Sequence, residues 1–371
     1  MAENSQIDKP GLGFDRNVYY LLGLLFDAVD MDGAVRAVTD AVRTKRKTFI
    51  STPNLNFLIS SQKNEIFRNS VINSDLSIAD GMPIVFLCKM FGIPIKERVA
   101  GSSLIDALRD NEECKKRPIK VFFFGGQSGM AEAAHMNLNS KPNGLTSVGF
   151  LNPGFGSIEE MSKNSIIDEV NAVGADFIIV SLGALKGQAW IERNRKKLDA
   201  PVICHLGAVV NFIGGSVKRA PEWAQKMHLE WLWRIKEEPS LFGRYFKDGI
   251  SLLHLFVTQA VPQSMYLRNN RPKIAKHLVK PKIIIGEDPN VFFLEGVIID
   301  DNLPEIRALF KKIMLKKKSI TIDVSRVDYM DSAFMGLLLL LKRDLVEIKC
   351  RLKIDGLKKT LPNDLLNEFA D

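Results

Sequence analysis

Residues 118–141, PIKVFFFGGQSGMAEAAHMNLNSK, decide the fold. An apolar run from Val121 to Phe124 breaks on Gly125-Gly126, and a helix-forming stretch starts at Met130. A short apolar run bounded by turn residues reads as a strand covered on both faces, the kind found in parallel sheets. The same alternation continues on either side. Upstream, 18–30 reads as strand and turn, 31–45 as helix, KTFISTPN (47–54) as strand and loop, and 55–74 as helical. DLSIAD (75–80) is a short strand ending on Asp80-Gly81, and helices follow over 83–92 and 104–116. Downstream, 145–156 is strand and loop, ADFIIVSLG (175–183) a buried strand, 187–198 a helix, and PVICHLGAVV (201–210) a further strand. Strands alternating with helices predict right-handed βαβ units, hence an α/β, Rossmann-like, mostly parallel sheet flanked by helices. Ligands of such sheets sit at the strands' carboxyl ends. Thr52-Pro53-Asn54, Asp80-Gly81, Gly125-Gly126, Gly183 and Gly207 all fall there.

At 371 residues the chain suits two domains. Residues 1–16 read as a flexible lead-in without an apolar signal core, and 17–262 as the large domain. The basic, proline-interrupted stretch 263–281 reads as a linker. From Lys282 a second, smaller α/β domain runs to 371: two strands, a helix, a strand, a helix and a last strand and short helix. The net charge of +8 points to anionic partners. Its basic residues form no dense stripe, which argues against nucleic acid. Four scattered cysteines read as reduced thiols of a cytoplasmic protein, and five scattered histidines offer no zinc site. No run of about 18 apolar residues is present to span a bilayer. ISLLHLFVTQAV (250–261) is too short to cross one but suits a surface.

Asp80 has two readings: Asp-Gly turn chemistry, or a general base at the mouth of a cleft. Thr52 and Asn54, with Pro53 stiffening their loop, are placed to contact a sugar. Gly125 and Gly126 let a backbone approach phosphate before a helix N-terminus, though the spacing is not a dinucleotide fingerprint. Arg98 and Arg219 have the fork geometry for a diphosphate, or serve as surface residues. Asp30-Met31-Asp32 precedes a helix and reads as capping rather than as metal ligands. RAPEWAQKMHLEWLWRIKEEPSLFGRY (219–245) starts a helix at Pro221. Trp223, Met227, Trp231 and Arg234 share a face, which makes either a core helix or a basic, aromatic lid.

Taken in order, TPNLNFL, IADGMPIV, ERVAGSSL, VFFFGG, VGFLNPGF, ADFIIVSLGALKGQAWI, HLGAVVNFIGG and the 219–245 segment resemble the WecG/TagA/CpsF glycosyltransferases over about residues 17–250. The resemblance implies an inverting, metal-independent and cofactor-free transfer of an N-acetylmannosamine-type sugar. The donor would be a UDP-sugar, and the acceptor a polyprenyl-diphosphate-linked saccharide. By it, Asp80 is the general base, Thr52 and Asn54 line the pocket, and Arg98 and Gly101 form the Arg-x-x-Gly element. Gly125, Gly126, Gly183, Lys186, Gln188 and Gly207 contact substrate. Arg219, Arg234 and Arg244 close over the diphosphate beside the membrane. The family's Pro-Lys-Gln-Glu is replaced by Leu185-Lys186-Gly187-Gln188, and Asn211 stands where an aspartate is usual. Both departures bear on the donor sugar.

ITIDVSRVDYMDSAFMGLLLLL (320–341) resembles a STAS domain, which implies a protein partner. Ser332 falls at the position phosphorylated in switchable members, or is a plain helix N-cap. The whole predicts a peripheral enzyme on the cytoplasmic side of the inner membrane, acting in exopolysaccharide or cell-surface glycan synthesis. The alternative is a non-catalytic nucleotide-sugar sensor acting through its second domain.

Overall fold

The computed structural model describes residues 13–357 apart from 142, 219, 222, 225, 226, 228 and 272–279. The chain divides into two units. One is Phe26–Ala260; the other joins Met1–Leu25 to Val261–Asp371.

Two short strands, β1 (Val18–Leu21) and β2 (Leu24–Asp27), pair around Leu22-Gly23. Helix α1 (Met31–Thr44) starts at Asp30, whose carboxylate accepts from the Gly33 N–H at 2.9 Å; the capping role expected of the Asp-Met-Asp run is the observed one. Strand β3 (Thr48–Ser51) leads to α2 (Leu55–Lys63), α3 (Glu65–Ile72) and β4 (Leu76–Ser77). Then come α4 (Met82–Met90), α5 (Gly101–Asp110), α6 (Glu112–Lys116), β5 (Ile119–Gly125), α7 (Met130–Asn139) and β6 (Leu145–Leu151). The unit continues through α8 (Asn164–Ala172), β7 (Phe177–Ser181), α9 (Ala184–Asn194), β8 (Val202–His205) and α10 (Val209–Gly214). It closes with α11 (Glu230–Glu237) and α12 (Phe242–Leu255).

Six strands form one sheet in the order β4-β3-β8-β7-β5-β6, every pair parallel. Alternation within β5 shows why. Val121 and Phe123 join the core on one face, and Phe122 and Phe124 that on the other, where Phe124 stacks on Trp190 at 4.0 Å. The continuous apolar run is what a strand with two covered faces requires. From β3 the chain runs outward to β4, whereas β8 is reached from the β7 side. The chain leaves β5 toward β6 and leaves β7 the opposite way toward β8, so the carboxyl ends of β5 and β7 flank the point where a parallel sheet opens a crevice.

Two expectations are corrected in this unit. The strand read over 201–210 ends at His205, and Val209 and Val210 turn into α10. The helix expected to run on from Pro221 is interrupted: Met227 N–H bonds to the Trp223 carbonyl, Leu229 N–H reaches back to that of Ala224, and α11 starts afresh at Glu230. Trp223, Met227 and Trp231 are exposed rather than core.

The other unit holds α13 (Val261–Asn269), β9 (Lys282–Ile285), β10 (Val291–Ile298), α14 (Pro304–Lys316), β11 (Ile320–Met330), α15 (Ser332–Glu347) and β12 (Leu352–Asp355). Its sheet runs β12-β11-β10-β9, with only the β9 edge antiparallel. The stretch read as a linker begins as α13, where Leu267 is buried and its carbonyl accepts from the Tyr329 hydroxyl at 3.1 Å. Residues 272–279 and the last short helix lie outside the described residues.

The lead-in read as flexible is packed from Gly13 onward. Phe14 is fully buried, edge-on to Phe310 at 5.8 Å. The Arg307 guanidinium donates to the carbonyls of Phe14 and Arg16. Gly336 lets β1 lie on α15, since a Cβ there would stand 3.1 Å from Tyr20 N and Val18 O. Thus residues 13–25 group with the C-terminal sheet, not with the domain that follows them in sequence.

Candidate active site

Asp80 sits just beyond β4, and its N–H bonds to the Pro53 carbonyl at 3.1 Å, which ties it to the loop after β3. Gly81 holds φ +103°, a left-handed conformation that side chains avoid, so the chain turns at once into α4. The Ala79 carbonyl accepts from Val99 N–H at 3.0 Å, drawing in the loop that carries Arg98 and Gly101.

Burial pushes the Asp80 carboxyl up to about 6; Arg98 draws it down, Glu230 pushes it up, and Arg234 and a hydrogen bond from the Gly101 backbone draw it down. A carboxylate with two cations near it is still raised because desolvation of the charged form outweighs them. Gly101 has a steric reason as well: a Cβ there would come 2.4 Å from Leu206 Cδ2.

Arg98 and Arg234 come from distant parts of the sequence. Arg98 pairs with Glu230 at 2.5 Å, both partners largely shielded. Arg234 lies on the same face of α11 as Glu230, four residues on. It meets Glu238 at 3.3 Å and the Phe212 ring at 5.7 Å. Its Nε is buried and has no hydrogen-bond partner among the described residues. A buried guanidinium N–H with nothing to donate to is suited to receive an anion's oxygen.

At the end of β8, His205 is buried, and burial alone lowers its imidazole to about 4, so it is neutral. Its ring lies against Gly187, where a Cβ would stand 2.1 Å from Cδ2, against Gly207, and 6.0 Å from the Phe57 ring. Nε2 has no partner among the described residues.

Several residues expected at the substrate do other work. Asn54 accepts from Phe57 N–H at 3.2 Å and caps α2, while Thr52 is buried. Gly126 gives its N–H to the Ser181 carbonyl at 2.7 Å, and a Cβ on Gly125 would meet that same oxygen. These glycines seat β5 against β7, and the Gly126 N–H expected to face phosphate is already engaged. Gln188 is fully buried and donates to Ser51 Oγ at 3.0 Å, which braces α9 against β3, while its Oε1 has no partner among the described residues.

Gly183, at φ +78° with open space where a Cβ would be, heads α9 without a side-chain cap. Lys186 is exposed in that helix's first turn, 3.5 Å from the Gly156 carbonyl. Gly207 accepts from Ser181 Oγ at 2.8 Å. Arg244 is exposed over the Tyr245 ring and acts on Asp248, not on Asp80. Arg219 lies outside the described residues. Among these, the structure brings together Asp80, Arg98, Gly101 and Arg234, and adds Glu230, which sequence reasoning missed.

In the other unit, Ser332 is neither an exposed modification site nor the cap. Asp331 caps α15, accepting from Ala333 N–H at 3.0 Å and Phe334 N–H at 3.1 Å. Buried Ser332 donates to the Tyr20 carbonyl at 2.9 Å.

A poised carboxylate beside two guanidinium groups at the mouth of a parallel sheet is equipment for group transfer to a hydroxyl. The protein is a glycosyltransferase: it matches the glycosyl transferase WecG/TagA/CpsF family over residues 19–265, and belongs to it. It is similar to an N-acetylglucosaminyldiphosphoundecaprenol N-acetyl-beta-D-mannosaminyltransferase of Bacillus spizizenii, 26% identical over 53% of this chain and 74% of the relative. The enzyme of that name from Staphylococcus aureus strain MW2 is 24% identical over 60% of this chain and 86% of its own length. A solved structure of an SsGBP variant aligns at 11% identity over 64% of this chain and 78% of its own, with a TM-score of 0.20, too low to carry an argument. Among the described residues no helix is long and apolar enough to cross a membrane.

Proposed function

We propose that the protein moves an N-acetylmannosamine-type sugar from a UDP-sugar to a saccharide carried on polyprenyl diphosphate, with inversion. The observation that carries this reading is Asp80, raised to about 6 and flanked by Arg98 and Arg234. The acceptor hydroxyl oxygen bonds to the anomeric carbon while its proton passes to the Asp80 carboxylate. The bond from that carbon to the donor's phosphate oxygen breaks on the opposite face, and its electron pair leaves with UDP. Arg98 and Arg234 meet the charge that grows there, the task a divalent ion performs in other transferases. The uncapped start of α9, with Gly183 and Lys186, offers a second place for phosphate oxygens.

The relatives' acceptor, N-acetylglucosamine on diphosphoundecaprenol, supports the acceptor class. On this reading the enzyme works at the cytoplasmic face of the inner membrane, in exopolysaccharide or cell-surface glycan assembly. The C-terminal unit is STAS-like and serves a protein partner. Purified protein incubated with a panel of UDP-sugars and a short-chain acceptor tests the reading. It predicts one glycosylated product from the wild type, formed roughly 10²- to 10⁴-fold more slowly by Asp80→Asn, with UDP binding retained; no product from any donor refutes it.

A further inference from the structure

Beside the site runs a groove that the catalytic residues do not use. It measures about 210 Å³ and is lined by Pro83, Phe86 and Leu87 of α4, Gly249, Leu252 and Leu253 of α12, and Phe256 just after it. Each is apolar, so the groove offers a sugar or nucleotide no hydrogen bond. Phe86 and Phe256 stack across it at 6.2 Å. Phe86 is 57% and Leu253 65% exposed, and Ile250 and Val257 on the same stretch are similarly bare. Water-facing apolar groups gathered along one wall mark a binding surface.

Its position says what it binds. Pro83 stands in the first turn of α4, three residues after Asp80, so one end of the groove lies within a helical turn of the carboxylate that the acceptor hydroxyl must reach. We infer that the groove holds part of the acceptor's isoprenoid chain, leaving the diphosphate and sugar at Asp80. This rests on the proposed function. Sites for whole small molecules run to about 300–1,000 Å³, so this one takes a segment of chain rather than a complete ligand. Gly249 adds no side chain and leaves the floor open.

The test compares acceptors bearing the same saccharide diphosphate on a long isoprenoid or on a short alkyl chain. Phe86→Ser and Leu253→Ser are exposed substitutions that leave the fold intact. Both should raise KM for the long-chain acceptor about 10-fold or more, and change kcat and KM for the short one by less than twofold. An equal loss with both acceptors, or none with either, overturns the inference. So does unchanged long-chain KM accompanied by lost binding to acceptor-free phospholipid vesicles, which would make the groove a membrane contact. Unchanged KM with a dimer dissolved in sedimentation would make it a contact between copies. If the wild type glycosylates neither acceptor, the proposed function fails. The groove is then judged by titrating a fluorescent isoprenoid diphosphate, which the wild type should bind at least 10-fold more tightly than either variant.

Discussion

Arg98 and Glu230 form an ion pair 2.5 Å long between the loop before α5 and the first turn of α11. In the proposed reaction Glu230 holds the guanidinium that a leaving diphosphate would need, so a carboxylate of the chain would stand in the substrate's place until a donor arrives. The same Glu230 also pushes the Asp80 carboxyl up.

Removing that charge should therefore do two things. Glu230→Gln frees Arg98 and lowers the Asp80 carboxyl below about 6. The acid limb of the pH profile of kcat/KM moves to lower pH, and UDP binds more tightly at low salt. A limb that stays in place would show that Asp80 is not the group titrating there.

Asp80→Asn should cut kcat by roughly 10²- to 10⁴-fold, the usual contribution of a general base. Its effect on stability has the opposite sign. The folded carboxyl is raised to about 6 from 3.8, so burying it costs nothing below pH 3.8, and the cost is complete above about 6. The variant should be more stable than wild type at pH 7 by roughly 3 kcal/mol, and about equal to it near pH 3.5. Denaturant unfolding at the two pH values measures this.

His205 and Gly187 share one space. Gly187→Ala places a Cβ 2.1 Å from the ring and should cost about 1–3 kcal/mol. His205→Ala in the same chain makes room and should recover much of the loss, a coupling that a double-mutant cycle reads directly. The lowered imidazole predicts stability that is complete above pH 6.5 and is lost as pH falls toward about 4. His205→Phe should flatten that slope.

Phe14→Ala should destabilise the C-terminal unit by about 3–5 kcal/mol, as removal of a buried ring does. Hydrogen exchange should show the loss in β10, β11 and α15 and spare β5 and β7. Loss confined to the N-terminus would mean that residues 13–25 merely rest on that unit.

Ser332→Asp should destabilise the same unit. It sets a charge beneath the Tyr20 carbonyl, next to Asp331, whose carboxyl burial already pushes up to about 6. A kinase should therefore modify Ser332 only when β1 has lifted away; phosphorylation at full rate in the intact fold, followed by mass spectrometry, would contradict this.

Much of this protein is written locally. The apolar runs of β5 and β7, with glycines at their ends, state a buried parallel sheet because no other setting covers both faces of a strand. Asp80-Gly81 and Arg98 are likewise visible as residues able to do chemistry.

What sequence alone did not determine is which side chains meet. Glu230 was one acid among many until α11 brought it to Arg98, 132 residues away. Gln188 had the chemistry of a ligand but gives its amide nitrogen to Ser51, and Ser332 that of a switch but lay under Tyr20. Local patterning is set by the period of a single element, whereas partnership depends on packing between elements far apart in the chain. Only the tertiary fold decides which polar groups stay free for a substrate and which are used up in building the protein.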